Sequence, residues 1–359
     1  MTGGGDAAGA PARSGVICAG SVVVDVGKVI DAYPAFERLA VIEEISLSTG
    51  GPGLNMAVDL RKLGATFPIA LVGAVGDDDN GAFVLAECVR LDLDTRDVVT
   101  LPGVATSFTD AMVVRDGGRR TFFHHIGANA LLDPSDVDLV ASTARILHAG
   151  APGLHPMLDA PMPAGPDGAP AEHANGWVAL LARARAAGLW TNLELVSLSP
   201  QQVREVGLPC LPHLDSLVIN EIEAGALTGI EAPVPGVDGP VDWPALEAAA
   251  LRLIELGVGR LAGVHHPAGC VAAAAGGRTW RQGSVRLERQ HVRSTTGAGD
   301  AFAAGVLFGL HDDRPVEHCL RLGAASAAAC VRSMHTSDGV LPAAECLAEA
   351  ERAGYRSTV

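Results

Sequence analysis

The chain has 359 residues, of which 48% are apolar and 4% aromatic, and its 41 acidic and 26 basic side chains give a formal net charge of −15. This length suits one large α/β domain, or one domain with a small appendage. The negative charge argues against nucleic acid as a partner, because neutralising phosphates requires a basic face.

Residues 1–14 are rich in Gly, Ala and Pro and lack a charged segment followed by an apolar one, so we expect a disordered N-terminal tail and not a signal peptide. No apolar stretch reaches about 18 residues, which argues against a membrane span. Seven cysteines without a Cys-x-x-Cys pair are typical of reduced core thiols. These features together predict a cytoplasmic protein.

Strand and helix signals alternate along most of the chain. The short apolar run Val16–Gly20 is typical of a buried strand, and residues 54–63 have helical spacing that ends at Gly64. Further strands are predicted at 22–24, 69–75, 145–148, 189–193 and 216–220, and further helices at 81–90, 245–256, 301–310 and 316–334. This alternation predicts a parallel sheet that helices cover on both faces.

Two segments interrupt the alternation. Strand signals at 106–114 and 121–126 flank a Gly turn at 116–118, and with a third strand at 41–48 they predict a small β-sheet lid beside the main sheet. Residues 153–176 are rich in Pro, Gly and Ala, so we expect a long surface loop there.

The most informative motif is Ser-Thr-Thr-Gly-Ala-Gly-Asp-Ala-Phe at residues 294–302, where small residues precede an apolar helix expected to begin at about Asp300. The backbone N–H groups of such a turn point outward beside the positive end of the helix and bind an anion. A carboxylate there suits a general base that takes a proton from a hydroxyl while the N–H groups hold a transferring phosphoryl group. On this segment alone, a helix N-cap role explains Asp300 equally well.

Two weaker signals accompany this motif. Residues 50–55, Gly-Gly-Pro-Gly-Leu-Asn, form a Gly-rich turn that opens a helix, where the backbone approaches a ligand closely and Asn55 can bind hydroxyls. Asn220 and Glu223 follow a predicted strand, at the edge of the sheet where α/β proteins bind ligands. Such a pair orients Mg²⁺-bound waters around a nucleotide phosphate, although an ordinary helix N-terminus gives the same pattern.

Five landmarks, in the order found here, resemble the ribokinase-like (PfkB) carbohydrate kinases over about residues 16–334. They lie at residues 20–25, 50–55, 73–78, 220–223 and 295–300. The resemblance implies an α/β fold of the ribokinase-like three-layer α/β/α type, with a mostly parallel central sheet and a small β-sheet lid. It places one kinase domain at 15–345, lid segments at about 26–49 and 104–127 within it, and a C-terminal tail at 346–359.

The resemblance also implies transfer of the ATP γ-phosphoryl group to a hydroxyl of a sugar or sugar derivative, with a primary hydroxyl expected. Asp300 would be the catalytic base, and the anion hole would be formed by the amides of Gly297, Ala298 and Gly299. Substrate contacts would come from Asp25, Gly50, Gly51 and Asn55, and ATP contacts from Asn220, Glu223, Thr296 and Gly269. Mg²⁺ would be held, through water, by Glu223 and Asn220.

The chain departs from the family pattern at three places. Pro52 replaces a Lys that several members carry, which argues against ribose as the substrate. Ser294 stands where an Asp usually precedes Thr-Thr, which leaves a monovalent cation requirement open. The nucleotide-side Gly-x-x-Gly begins with His266, so the ATP base contacts are expected to differ. Glu194, at a predicted strand end, is expected to lie near the phosphates without a direct role.

Other function classes fit the sequence less well. A dinucleotide enzyme would need Gly-x-Gly-x-x-Gly after the first strand, and a P-loop kinase would need Gly-x-x-x-x-Gly-Lys-Ser/Thr; the sequence contains neither motif at the required place. The adjacent histidines at 124–125 and 265–266 lack the spacing of zinc ligands. An inactive sugar- or nucleotide-binding regulator and a nucleoside kinase remain as alternatives. Asp300 favours activity, and the low aromatic content disfavours a nucleoside.

A homodimer through the lid also stays open, since three aromatic residues there belong either to the core or to an interface: Phe108, Phe122 and Phe123.

Overall fold

The computed structural model describes residues 13–115, 120–139, 142–163, 171–196 and 198–359. The tail predicted at 1–14 lies outside this part except for its last two residues. The Gly turn at 116–118 and residues 164–170 of the predicted surface loop also lie outside it. Within the described ranges, no helix is both long enough and apolar enough to cross a bilayer.

A strand or helix lies at each segment where the sequence predicts one. Strands at 94–101, 261–266, 269–274 and 279–283 and helices at 156–159, 176–186, 200–207, 221–228 and 343–353 were not predicted. The strands are β1 (Val16–Gly20), β2 (Val23–Ile30), β3 (Ile42–Gly50), β4 (Ile69–Gly76), β5 (Asp94–Leu101), β6 (Phe108–Val114), β7 (Arg120–His125), β8 (Ile146–Gly150), β9 (Trp190–Glu194), β10 (Ser216–Asn220), β11 (Leu261–His266), β12 (Gly269–Ala274) and β13 (Thr279–Gly283). The helices are α1 (Pro52–Lys62), α2 (Asp79–Arg90), α3 (Pro156–Asp159), α4 (Gly176–Ala186), α5 (Pro200–Gly207), α6 (Glu221–Thr228), α7 (Trp243–Glu255), α8 (Ala298–His311), α9 (Val316–Cys330) and α10 (Ala343–Ala353).

The larger of two sheets has nine strands in the order β13-β12-β11-β10-β9-β8-β1-β4-β5. All neighbours from β11 to β5 pair in parallel, whereas β12 and β13 return antiparallel at one edge. Strands such as β1 and β8 are buried along their whole length, as expected for parallel strands covered on both faces. The prediction of a mostly parallel central sheet is therefore confirmed.

Helices form a layer on each side of this sheet, with a separate hydrophobic core beneath each layer. One core gathers residues of α1, α8, α9 and α10, and the other gathers residues of α4, α6 and α7. The indole of Trp177 is fully buried in the second core and donates from Nε1 to Asp159 Oδ1 at 2.8 Å. The three-layer α/β/α architecture thus follows from burying both faces of the sheet.

The smaller sheet, which we call the lid sheet, has the order β3-β2-β6-β7 and is made from the segments predicted for a lid. Strand β2 pairs antiparallel with β3 and parallel with β6, and β6 pairs antiparallel with β7. Side chains alternate between its two faces. The inner face lines a cavity, with contributions from Asp25, Ser46, Ser48, Arg120 and Phe122.

The predicted C-terminal tail at 346–359 is wrong, because α10 spans its first half and packs against the core. Cys346 and Ala350 of this helix are buried, and Tyr355 pairs with Val285 across a β-bridge. Short apolar side chains at helical spacing anchor this segment to α9. The predicted loop at 153–176 likewise contains α3, whose Leu158 is buried.

Candidate active site

The turn before α8 has the geometry of an anion-binding loop. Gly297 adopts a left-handed conformation (φ 80°) and is the N-cap of α8, without a capping side chain. Asp300 is therefore the third residue of the helix, and the alternative in which its side chain caps the helix is wrong. The carboxylate is left free to act on a neighbouring group.

The first amides of α8 are largely unpaired. The Ala298 N–H donates to Thr295 O at 3.3 Å, whereas within the described ranges the N–H groups of Gly297, Gly299 and Asp300 have no hydrogen-bond acceptor. Amides at a helix N-terminus carry partial positive charge and point the same way. The loop therefore presents a cluster of donors beside a carboxylate.

Gly297 is required by close packing as well as by its backbone conformation. A Cβ built on it would lie 2.8 Å from both the Cα and the carbonyl carbon of Thr336. The segment that carries Thr336 is itself held by the Cys330 thiol, which donates to the Thr336 carbonyl at 2.9 Å. The loop is thus seated against a second chain segment, which fixes the direction of its amides.

Asp300 is tied to the helix that follows the Gly-rich turn. The Asn55 side chain donates from Nδ2 to Asp300 Oδ2 at 2.5 Å, and its Oδ1 accepts from Thr336 Oγ1 at 3.4 Å. Gly51 (φ 89°) precedes α1 and permits the turn that buries Asn55. Two segments more than 240 positions apart in sequence therefore meet at one carboxylate.

Asp25 lies close to this pair on the inner face of the lid sheet. It pairs in register with Ser48 of β3, and a Cβ on Gly50 would lie 2.6 Å from its Cγ. Burial raises the pKa of Asp25 to about 7, with a further contribution from the negative charge of Asp300, while a hydrogen bond from Thr109 opposes the shift. The absence of a side chain at Gly50 makes room for this carboxylate.

Glu194, at the end of β9, is closer to the chemistry than the sequence suggests. Burial raises its pKa well above the ordinary value, and the charge of Asp300 and a hydrogen bond to it add to that effect. Its Oε2 lies 3.5 Å from Nε2 of His148, whose Nδ1 donates to Asn192 Oδ1 at 2.8 Å. Burial lowers the pKa of His148 to about 4. Burial and the charge of Asp300 therefore both favour the protonated form of Glu194. Its place at a strand end is the sequence signal for it.

Asn220 and Glu223 form a reciprocal capping box at the start of α6. The Asn220 side chain accepts from the Ile222 and Glu223 amides, and Glu223 Oε2 accepts from the Asn220 amide at 3.1 Å. Burial raises the pKa of Glu223 to about 7, and the charge of Asp300 adds to the shift, so the two carboxylates are close enough to interact electrostatically. The pair has both a capping and an electrostatic role.

The remaining predicted residues lie at different distances from Asp300. Thr296 directly precedes Gly297, and its hydroxyl accepts from Arg120 Nη1 at 2.6 Å. Gly269 begins β12, after the turn that follows His266, and no contact in the described ranges joins Gly269 to Asp300. His265, not singled out as a ligand contact, packs its ring against Phe302 and lies beneath Gly299. No cluster of three or more metal-ligating side chains occurs in the described ranges.

Comparison with known proteins identifies the family. The model for the pfkB family carbohydrate kinases matches residues 14–344. Probable fructokinase-7 of Arabidopsis thaliana is 28% identical over 91% of this chain and 89% of its own length. The 5-dehydro-2-deoxygluconokinase of Shouchella clausii is 25% identical over 89% of this chain and 92% of its own length. The structure of Arabidopsis thaliana ribokinase complexed with ribose and ATP matches with a TM-score of 0.73 at 22% identity, covering 95% of this chain and 99% of that one.

The fold, the loop before α8 and the family match together define a phosphotransferase that acts on an alcohol group. The chain belongs to the pfkB family of carbohydrate kinases, and the resemblance drawn from its motifs is confirmed. The ribokinase-like fold is confirmed independently by the solved structures, whose low sequence identity makes them evidence for the fold alone.

Proposed function

We propose that this kinase transfers the γ-phosphoryl group of ATP to a primary hydroxyl of a sugar or sugar derivative, with Mg²⁺ as cofactor. The observation that carries the proposal is the position of Asp300, beside unpaired amides of Gly297 and Gly299 and bonded to Asn55. A base and an anion-stabilising donor cluster in one place are what phosphoryl transfer to a hydroxyl requires.

In the proposed reaction, the substrate hydroxyl gives its proton to Asp300 while its oxygen attacks the γ-phosphorus in line. The new O–P bond forms as the bond to the bridging oxygen of ADP breaks. The amides of the loop, with Ala298 between the two free glycine amides, hold the charge on the transferring group. Asp25, Gly50, Gly51 and Asn55 position the sugar. The raised pKa of Glu194 favours its neutral form, which would keep a second negative charge away from Asp300.

ATP in this proposal lies along the carboxyl ends of β10 and β11, contacted by Asn220, Glu223, Thr296 and Gly269. The residues present fit Mg²⁺, because Glu223 is a buried carboxylate close enough to Asp300 for the two charges to interact. A single carboxylate suits an ion that keeps most of its waters and takes phosphate oxygens as its other ligands. When bound, the ion neutralises phosphate charge, and Glu223 and Asn220 would hold it through water.

The names of the relatives support a sugar as the acceptor. A fructokinase and a deoxygluconokinase are among them, and the ribokinase structure holds ribose and ATP. An inactive binding protein on the same fold is the second candidate, but binding alone does not require the Asp300 carboxylate beside unpaired amides. The proposal therefore favours catalysis.

The test is ATP-dependent phosphorylation of a panel of sugars, sugar acids and nucleosides by wild-type protein and Asp300→Asn. We expect kcat to fall by about 10²- to 10⁴-fold in the variant, the contribution of a positioned base, while the Kd for ATP stays within about 3-fold. Asp92→Asn is the matched control, because the Asp92 side chain is 97% exposed and remote from the loop. Turnover by Asp300→Asn equal to that of the control would overturn the assignment of the base.

We also propose a homodimer through the outer face of the lid sheet. Ile45, Leu47 and Phe123 project from that face with 65%, 53% and 52% of their surface exposed. Phe122 instead lines the inner cavity, and Phe108 packs against the main core. The Lys28–Asp110 ion pair lies between these side chains on the same face. Exposed apolar side chains around such a pair on a sheet are suited to a second copy. Light scattering at micromolar concentration should give twice the chain mass for wild type and a single chain mass for Leu47→Glu, and a monomeric wild type would refute the dimer.

A cytoplasmic location is proposed on the state of the thiols. All seven cysteines are buried and free, as is usual where thiols stay reduced. Fractionation of the source cells, with the protein recovered outside the cytoplasmic fraction, would contradict this.

A further inference from the structure

Arg120 links the lid sheet to the anion-binding loop. It is the first residue of β7, on the inner face, and its Nη1 donates to Ser294 Oγ and to Thr296 Oγ1, each at 2.6 Å. Ser294 and Thr296 belong to the segment that leads into Gly297. The guanidinium is therefore held, partly buried, at the cavity between the lid sheet and the segments that carry Thr296 and Thr336.

This cation has no carboxylate partner within the described ranges. Several other arginines of this acidic chain are paired with carboxylates, such as Arg115 with Glu43 and Arg281 with Glu247. Burial lowers the pKa of Arg120, and no acidic neighbour opposes this. A partly buried charge that meets only hydroxyls is costly unless a ligand neutralises it.

The cavity around Arg120 also contains Asp25, one of the proposed sugar contacts. Asp25, Ser46 and Ser48 line it from the lid sheet, and His335 and Thr336 line it from the other side. Among the residues that the structure describes, Nη1 is the atom of Arg120 that is hydrogen-bonded, which leaves Nε and Nη2 as donors. That pair of donors matches the two oxygens of a carboxylate or phosphate.

We propose that the acceptor is a sugar with an anionic group, a carboxylate or a phosphate ester, which Arg120 binds from the lid sheet. This inference rests on the proposed kinase function and names its substrate class. Asp25 would bind hydroxyls while Arg120 binds the anion, so that one substrate bridges the lid sheet and the loop before α8. Arg120 is in this view a specificity-determining residue.

The test compares three acceptors: D-fructose as the neutral sugar, 2-keto-3-deoxygluconate as the carboxylate and fructose 6-phosphate as the phosphate ester. Wild type should favour one of the two anionic acceptors over fructose by at least about 10-fold in kcat/KM, and the preferred one identifies the anion. Arg120→Gln should reduce kcat/KM for that acceptor by about 10- to 100-fold, mostly through KM, as expected for the loss of a charge-assisted hydrogen bond. Arg120→Lys should recover part of the loss.

Arg115→Gln is the matched control, because Arg115 is paired with Glu43. It should leave the ratio of anionic to neutral acceptor unchanged. A wild type that prefers fructose would overturn the proposal. So would an Arg120→Gln variant that loses kcat equally on all acceptors, since Arg120 would then act on the transferring phosphoryl group.

Calorimetric binding to Asp300→Asn separates this inference from the kinase proposal. If the anionic sugar binds to Asp300→Asn but not to the double variant Asp300→Asn/Arg120→Gln, the role of Arg120 is supported. This holds even if wild type shows no turnover, in which case the kinase proposal alone fails. Turnover of neutral sugars, without binding of either anionic acceptor, leaves the kinase proposal standing and overturns the role of Arg120.

Discussion

Replacing Gly297 with Ala tests whether the loop before α8 holds the transferring group. The new methyl group would lie 2.8 Å from two backbone carbons of Thr336, whereas ordinary contact begins at 3.4 Å, so the loop must move by at least 0.6 Å. The left-handed conformation costs a further ~1 kcal/mol for a residue with a side chain. Because a misplacement of about 1 Å can reduce a rate about 10²-fold, we expect kcat to fall by about 10- to 100-fold.

Gly64→Ala separates the conformational cost from the displacement of the loop. Gly64 also has a positive φ (95°), but it is exposed after α1 and a Cβ there meets no atom within 4 Å. This control should lose about 1 kcal/mol of stability with an unchanged kcat.

The assay is steady-state turnover on the best acceptor, with urea unfolding of each variant to measure stability. Gly297→Ala should lose at least as much stability as the control and, in addition, catalytic rate. A Gly297→Ala enzyme with kcat within about 2-fold of wild type would refute the idea that these amides are positioned for the phosphoryl group.

Two further predictions concern stability. The pKa of Asp25 is raised from its ordinary 3.8 to about 7, so the folded state binds the extra proton between these values and stability falls as pH rises through this range. Asp25→Asn should therefore raise Tm at pH 8 by roughly 1–3 °C and give little gain at pH 4, measured by calorimetry, and a gain that is largest at pH 4 would contradict the sign. Trp177→Ala removes a fully buried indole and its bond to Asp159, and should cost about 3–5 kcal/mol in urea unfolding, whereas a loss below about 1 kcal/mol would mean that the second core does not depend on it.

Four acidic side chains converge on this site, and the structure gives them different roles. Asp300 accepts a hydrogen bond from Asn55, Glu223 accepts one from the Asn220 amide, and burial favours the protonated form of Glu194. The pKa of Asp25 is raised to about 7 by burial and by the negative charge of Asp300. Like charges at close range push pKa values apart. The arrangement leaves Asp300 as the carboxylate adjoined by unpaired amides.

Local sequence determined many of the strands and helices and the position of the loop before α8. Apolar runs located strands such as β1, and helical spacing located α1 and α9, because each signal depends on neighbours within about one or two turns. The loop at 294–300 was recognisable because its small residues serve a backbone geometry that is itself local. Elements with weaker signals, such as α10, were missed because their short apolar side chains become informative only when α9 covers them.

Only the tertiary structure decided which side chains meet. The bond from Asn55 to Asp300, the burial of Glu194 and the reach of Arg120 to Thr296 each join segments far apart in the chain. A sequence lists these residues but carries no distances between them. Their contacts and pKa values depend on how the lid sheet, α1 and α8 pack together, because burial and neighbouring charge are properties of the folded chain.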